Sequence, residues 1–197
     1  DYHDFLDLGP GRLGLVIADI SGKGIAAALL MANLQANFRS QSALALREPE
    51  RMLCSVNSLF HANTSESSYA TLFFADYDDR TRRLRYANCG HLAPLILRKR
   101  GGIDRLDSTC TVMGLFKTWD CKMSEAELAP GDLLVLYTDG VTESINAAEE
   151  EFGEPRLIES IQEASPQENV ERVVEKLREF SPDEQYDDIT LIVARSV

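Results

Sequence analysis

The sequence predicts an α+β fold with mostly antiparallel sheet. The predicted order is strands, a helical pair, many strands, a second helical pair and one closing strand. Turn-forming Gly, Pro and Asp residues separate consecutive strand-like runs, which favours hairpin connections. The helical stretches come in pairs and do not alternate regularly with single strands, as they would in a parallel βαβ fold.

In the first third of the chain, Asp4–Leu8 and Leu13–Ile20 are predicted strands joined by Gly9-Pro10-Gly11. Ile25–Ser40 is rich in Ala, Leu and Met and is predicted to be helical. Apolar residues surround its first half, which predicts burial of that half. Pro49–Asn63 is predicted to be a second, amphipathic helix.

The remaining two thirds contain further strands and two more helices. The predicted strands are Tyr69–Tyr77, Arg83–Asn88, Leu92–Leu97, Cys121–Leu128, Asp132–Thr138 and Ile189–Val193. Phe152–Glu163 and Pro166–Phe180 are predicted helices, and the second has an apolar stripe that includes Val173 and Leu177.

Size and composition limit the possible functions. A chain of 197 residues with 44% hydrophobic residues is expected to form one globular domain. Its net charge of −12 argues against nucleic-acid binding but permits a phosphorylated substrate, because bound cations reverse the local charge. No apolar run has the length of a membrane span. The charged start without an initiator Met indicates the catalytic part of a longer protein, truncated at its N-terminus.

The cysteines and histidines do not follow a metal-binding spacing. None of the four cysteines forms a Cys-x-x-Cys pair, and only three histidines are present, which argues against a zinc site. Unpaired cysteines and the lack of a signal peptide predict a cytoplasmic chain with reduced thiols. A region outside this chain could still tether the full-length protein to a membrane.

Acidic motifs at the ends of apolar strands are the most informative feature of the chain. They contain Asp1, Asp19, Asp139 and the pair Asp187-Asp188. Carboxylates that converge from several strand ends form an all-oxygen site for hard divalent cations, to which the Ile20 carbonyl could add a ligand. Asp1 and Asp4 point to opposite faces of their strand, and Asp1 is favoured for the site.

Each motif also has an ordinary structural explanation. Asp19 could cap the following helix, and Asp139-Gly140 could be a simple turn. His91 is expected to be a structural hydrogen-bonding residue more often than a general acid. Ser21 lacks a nucleophile elbow, and Lys23 lacks the spacing of a phosphate-binding loop.

Taken together, the motifs resemble the metal-dependent protein phosphatases (the PPM, or protein phosphatase 2C-like, group), in particular the bacterial SpoIIE and RsbU-like branch. The resemblance rests on these strings: Asp1-Tyr2-His3-Asp4-Phe5, Ala18-Asp19-Ile20-Ser21-Gly22-Lys23-Gly24, Asn88-Cys89-Gly90-His91, Tyr137-Thr138-Asp139-Gly140 and Asp187-Asp188-Ile189-Thr190. The chain differs from the family pattern at Cys89, where alanine is more common, and over Thr109–Trp119.

The resemblance implies a four-layer α/β/β/α sandwich of two antiparallel sheets flanked by helices. It also implies two divalent ions, Mn²⁺ or Mg²⁺, bound by Asp1, Asp19, the Ile20 carbonyl, Asp139 and one of Asp187 and Asp188. Alignment through the following residue points to Asp187. Hydroxide shared by the two ions would attack the phosphorus of phosphoserine or phosphothreonine.

The implied substrate is a bacterial regulatory phosphoprotein, such as an anti-sigma factor antagonist. An upstream sensor or dimerisation region would control the activity. Two alternatives to an enzyme are a catalytically silent phosphatase-like binding module and a calcium-binding structural domain. The intact acidic motifs argue against the first, and the absence of EF-hand spacing argues against the second.

Overall fold

The computed structural model describes residues 1–64, 68–182 and 187–197. Its strands are β1 Tyr2–Asp7, β2 Arg12–Ile20, β3 Ala70–Asp78, β4 Arg83–Cys89, β5 Leu95–Leu97, β6 Ile103–Arg105, β7 Ser124–Glu127, β8 Leu133–Tyr137 and β9 Leu191–Arg195. Its α-helices are α1 Gly24–Gln41, α2 Pro49–His61, α3 Asp139–Thr142, α4 Gly153–Ser160 and α5 Pro166–Phe180. No helix among these residues combines the length and apolar character needed to cross a bilayer.

The chain divides into two compact units. Unit 1 comprises Asp1–Ala93 and Leu106–Glu127, and unit 2 comprises Pro94–Arg105 and Leu128–Val197. Each unit contains one antiparallel sheet, so the predicted α+β fold with two antiparallel sheets is confirmed.

The core of unit 1 lies between its sheet and a helical pair. The strand order is β1-β2-β3-β4-β7. Helix α1 contributes the buried Leu34 and Phe38, and α2 contributes Met52, Val56 and Phe60. Both faces of the central strand β2 are buried, since Val16, Ile17 and Ala18 are all 0% exposed.

Unit 2 repeats this arrangement on a smaller scale. Its strand order is β6-β5-β8-β9, and α4 and α5 contribute Leu157, Val173 and Leu177 to the core. Helix α5 begins with a capping box in which Ser165 and Glu168 satisfy each other's backbone amides. The predicted boundaries of α5 are confirmed.

The prediction that the first half of α1 is buried is wrong. Ile25 is 82% exposed and Leu29 is 67% exposed, and the buried residues of α1 are Leu34 and Phe38 in its second half. Apolar composition alone does not distinguish a helix that is buried on all sides from a helix that exposes some of its apolar residues to solvent. Strand β6 was not predicted, and several predicted ends differ by a few residues, because short strands carry little periodicity.

Asp4 ties β1 to the second half of α1. Its carboxylate accepts hydrogen bonds from Arg39 Nε at 2.7 Å, Arg39 Nη2 at 2.6 Å and the Tyr2 hydroxyl at 2.8 Å. Burial acts to raise the pKa of Asp4, but the hydrogen bonds from Arg39, Tyr2 and the Phe5 amide outweigh it and lower the pKa. Asp4 therefore has a structural role, which leaves Asp1, directly before β1, as the candidate ligand from this segment.

Replacing Asp4 by alanine is expected to lower the free energy of unfolding by roughly 1–3 kcal/mol, because the buried Tyr2 hydroxyl loses its acceptor. The pKa of Asp4 is lower in the folded state, so its contribution is present above the pKa of the unfolded chain. It is lost as the pH falls through the folded pKa. Urea denaturation of both proteins at neutral and acidic pH measures this, with His3→Ala on the exposed face of β1 as the control. Equal stability of Asp4→Ala and wild type at neutral pH would contradict the prediction.

Candidate metal centre

Asp1 directly precedes β1, and Asp19 lies in the neighbouring strand β2 of unit 1. Tyr2 pairs with Ala18 in the antiparallel β1–β2 register, so continuing that register places Asp1 opposite Asp19. Residues opposite each other have Cβ atoms about 5 Å apart on the same face of the sheet, and two like charges there are destabilising without a counter-charge. The register thus brings together two of the predicted ligands.

The backbone N–H and C=O groups of Ile20 point toward the edge of β2 on which β1 lies. Ile20 is opposite Ala70 in the β2–β3 register, but Ala70 exchanges both of its backbone hydrogen bonds with Met113, at 2.9 and 2.8 Å. The backbone groups of Ile20 therefore point away from β3, because pairs in antiparallel ladders alternate in direction. Its carbonyl is directed to the side where Asp1 lies, as a ligand role requires.

The loop after Asp19 contains two glycines in left-handed backbone conformations. Gly22 has φ of +92° and Gly24 has φ of +80°, which only glycine adopts at low cost. Helix α1 begins at Gly24 with Lys23 at its N-cap. Lys23, and not Asp19, therefore occupies the N-cap position of this helix.

His91 makes structural hydrogen bonds, as the sequence predicts. Its Nδ1 lies 2.9 Å from Thr71 Oγ1, and its backbone amide donates to Asn88 Oδ1 at 2.8 Å. Thr71 is the β3 partner of Asp19. His91 therefore contacts β3 at the residue opposite Asp19, and it is 6% exposed.

In unit 2, Asp139 and the Asp187-Asp188 pair are held together by a threonine pair. Asp139 is the first residue of α3, directly after β8 and Thr138. The Thr138 amide donates to the Thr190 carbonyl at 3.1 Å, and the Thr190 amide donates to Thr138 Oγ1, also at 3.1 Å. This pairing extends the β8–β9 ladder and brings the segment before β9 next to Asp139.

Gly140 allows this segment to approach closely. A Cβ atom on Gly140 would lie 2.0 Å from the Asp188 carbonyl oxygen and 2.8 Å from its carbonyl carbon. Any side chain at this position would therefore collide with backbone. The Thr-Asp-Gly motif is more than a turn, since its glycine makes room for the acidic pair.

The charge of Asp187 acts on Glu143, which follows Asp139 by four residues. Burial raises the pKa of Glu143, and the negative charges of Asp139, Glu151 and Asp187 raise it further. Glu143 was not predicted as a site residue, and only its position four residues after Asp139 could have indicated it. Among the described residues, acidic oxygens do not form a group of three that all lie within 4.8 Å of one another.

The donor set in each unit suits hard divalent cations. Carboxylate and carbonyl oxygens are the ligands that Mg²⁺ and Mn²⁺ prefer. The extended β1–β2 register puts Asp1 and Asp19 on one sheet face in unit 1, and Asp139 and Asp187 each repel the charge of Glu143 in unit 2. A bound cation would offset the repulsion within each set.

These features, together with comparison with known proteins, define the class. Residues 9–197 match the family model described as "Stage II sporulation protein E (SpoIIE)". The chain therefore belongs to the SpoIIE family. The earlier identification of a SpoIIE and RsbU-like phosphatase domain is confirmed.

Individual relatives are similar over nearly the whole chain. "Phosphoserine phosphatase RsbU" of Bacillus subtilis is 31% identical over 198 residues, which cover 99% of this chain and 58% of the relative. The chain thus spans little more than half the length of this relative. The SiaA-PP2C domain of Pseudomonas aeruginosa superposes with a TM-score of 0.81 at 22% identity, covering 98% of this chain and 79% of that chain. RsbX, solved in complex with magnesium, has a TM-score of 0.70 at 16% identity, covering 97% of this chain and 85% of that chain.

Proposed function

We propose that this chain is a Mn²⁺- or Mg²⁺-dependent phosphatase that hydrolyses phosphoserine or phosphothreonine in a bacterial regulatory protein. The observation that supports the proposal most is the β1–β2 register of a SpoIIE-family chain, which sets Asp1 opposite Asp19 when continued by one residue; the charges of Asp139 and Asp187 that both act on Glu143 support it further. The relative RsbU is named a phosphoserine phosphatase, which supports the same chemistry here.

The proposed ligands are Asp1, Asp19, the Ile20 carbonyl, Asp139 and Asp187. Asp188 is assigned a backbone role, because its carbonyl oxygen contacts Gly140 and lies 3.4 Å from Thr138 Oγ1. When bound, the cations supply Lewis-acid activation of water and neutralise charge on the phosphoryl group.

The residues of the chain supply orientation and charge. In unit 2 the Thr138–Thr190 pair holds Asp187 beside Asp139, and in unit 1 the β1–β2 register holds Asp1 beside Asp19. Glu143 adds a further carboxyl group next to Asp139, and burial and the charges of Asp139 and Asp187 raise its pKa in the metal-free chain.

A small phosphorylated regulator, such as an anti-sigma factor antagonist, is the proposed substrate. The support is the similarity to RsbU and to "Phosphoserine phosphatase RsbP" of the same organism, which is 29% identical over 147 residues. A folded substrate protein can place its phosphorylated serine at the carboxylates and also contact the surface of this chain around them. We expect those surface contacts to determine which phosphoprotein is selected.

Phosphate release from a phosphoserine-containing regulatory protein tests the proposal. The chain stripped of metal with a chelator is expected to be inactive, and adding Mn²⁺ or Mg²⁺ should restore release. Ca²⁺ at the same concentration serves as a control for charge alone, since it prefers larger and less regular oxygen sites. Activity that persists at full rate in excess chelator would refute metal dependence, and no release under any metal would favour a catalytically silent module.

We also propose that an upstream sensor or dimerisation region controls the activity through the first half of α1. This half follows the Asp19 loop directly and presents Ile25 and Leu29 to solvent, while Arg39 near the end of the helix binds Asp4 of β1. Movement of α1 would therefore act on β1, which Asp1 directly precedes, and on β2, which contains Asp19.

Changing Ile25 and Leu29 together to aspartate is expected to remove regulation and keep basal activity. The measurement compares phosphate release by the isolated chain and by the longer protein, each with and without the double change. Wild-type proteins should differ in rate, and the altered proteins should not. The same rate difference in both pairs would show that this face does not transmit the signal.

A further inference from the structure

Three cysteines that are distant in sequence meet in unit 1. The Sγ atoms of Cys89, Cys110 and Cys121 all lie within 4.8 Å of one another. Cys89 is the last residue of β4, and Cys110 and Cys121 belong to the segment between β6 and β7. This grouping is separate from the carboxylates and has no part in the function proposed above.

Hydrogen bonds of Asn88 hold the segment that contains Cys110 against the end of β4, where Cys89 lies. The Asn88 carbonyl accepts hydrogen bonds from the amides of Thr109 at 2.8 Å and Cys110 at 3.0 Å. The Asn88 side chain donates to the Leu106 carbonyl at 2.9 Å and is itself 0% exposed. Cys110 is thus held beside Cys89, with which it forms a parallel bridge.

The surroundings exclude water from most of the grouping. Cys89 is 0% exposed and Cys121 is 8% exposed, while Cys110 is half-buried. Trp119 and Met113 belong to the same core. Cys54 of α2 lies next to the grouping, because its thiol donates to the Trp119 carbonyl at 3.6 Å and contacts the backbone amide of Cys121.

The geometry suits a thiophilic cation. Zn–S bonds of about 2.3 Å in a tetrahedral site place sulfur atoms about 3.8 Å apart, so small side-chain movements would bring three sulfurs within 4.8 Å into bonding distance. Soft thiolates favour Zn²⁺ over the hard cations that carboxylates bind. The spacing of the cysteines in the sequence argued against such a site, because it contains no Cys-x-x-Cys pair.

We propose that Cys89, Cys110 and Cys121 bind one Zn²⁺ ion, with Cys54 as the fourth ligand. The Cys54 sulfur is not one of the three that lie within 4.8 Å of one another, so its side chain would move away from the Trp119 carbonyl to complete the site. The ion would be structural, since four protein ligands leave no open position for a substrate. It would fasten the segment Leu106–Met123, which contains no helix or multi-residue strand, to the end of β4 and to α2. The alternative is that the thiols only pack as small apolar side chains.

Cobalt binding to the reduced, metal-free chain distinguishes the two. Tetrahedral thiolate coordination gives Co²⁺ a near-ultraviolet charge-transfer band and intense visible bands, which carboxylate coordination does not give. A thiol assay first confirms that the cysteines of the wild type are free. The bands are then expected to grow until one equivalent of Co²⁺ has been added, and to disappear when Zn²⁺ replaces the Co²⁺. Absence of the charge-transfer band would overturn the proposal.

Matched variants locate the site. Cys110→Ala removes a half-buried ligand and is expected to weaken Co²⁺ binding by about tenfold or more, and Cys54→Ala should alter the visible bands by changing the fourth ligand. Asp139→Asn should leave the bands unchanged, which separates this site from the carboxylates. Unchanged bands in Cys110→Ala, with its fold verified by circular dichroism, would refute the assignment even if the phosphatase proposal holds. Failure of Mn²⁺-dependent phosphate release would leave these bands in place.

Discussion

Replacing Asp139 or Asp187 by asparagine is expected to reduce kcat/KM for a phosphoserine protein by about a thousandfold. Each change keeps the size of the side chain but removes one negative charge from the carboxylates that the Thr138–Thr190 pair holds together. Loss of a ligand to a catalytic cation removes several kcal/mol of transition-state stabilisation, and each 1.4 kcal/mol is about tenfold in rate. Initial rates across a series of Mn²⁺ concentrations measure the effect.

Asp188→Asn is the matched control for Asp187→Asn. The two residues are adjacent and both exposed, but Asp187 contributes to the raised pKa of Glu143, whereas Asp188 contacts Gly140 through its backbone carbonyl. Because asparagine keeps that carbonyl, Asp188→Asn should lose far less activity than Asp187→Asn. The reverse order of losses would show that Asp188 is the ligand.

Gly140→Ala is expected to reduce kcat/KM by about a hundredfold while leaving every carboxylate in the chain. The new methyl group would lie 2.0 Å from the Asp188 carbonyl oxygen, so the Asp187-Asp188 segment must move away from Asp139. A displacement of about 1 Å in a catalytic arrangement can cost about two orders of magnitude in rate. The collision should also destabilise the fold by roughly 1–3 kcal/mol.

Gly101→Ala is the control for Gly140→Ala. It shows the cost of replacing a glycine where no collision with a neighbouring atom occurs. Gly101 has φ of +90° and no atom within 4 Å of an added Cβ, so its replacement strains the backbone without displacing a neighbour. It should lower stability by about 1–2 kcal/mol and leave kcat/KM unchanged. Wild-type activity in Gly140→Ala at saturating Mn²⁺ would show that the Asp188 contact does not position the ligands.

The fold class and the candidate ligands could be predicted because their signals are local. Strand ends followed by Asp-Ile-Ser-Gly, Asp-Gly and Asp-Asp are visible in the sequence, and the β1–β2 register follows from one short hairpin. Asp4 could be separated from Asp1 by the alternation of strand side chains alone.

The features that could not be predicted depend on contacts between distant segments. Burial of α1 was predicted from composition, but the exposure of Ile25 and Leu29 depends on which half of the helix faces the sheet. The grouping of Cys89 with Cys110 and Cys121 follows from Asn88, whose hydrogen bonds hold a remote segment. The raised pKa of Glu143 comes mainly from burial and from the nearby Asp139, with a smaller contribution from Asp187, which is far along the chain.

The two units are interleaved along the polypeptide. The chain leaves unit 1 after Ala93, returns at Leu106 and leaves again after Glu127. A fragment that ends at Ala93 would lack β7 and an edge of its own sheet, so no single cut yields either unit intact. Replacing one unit by that of a relative through recombination would need three crossovers, one at each point where the chain passes between the units. The Asp19 loop and the Asp139 turn are therefore expected to be inherited together.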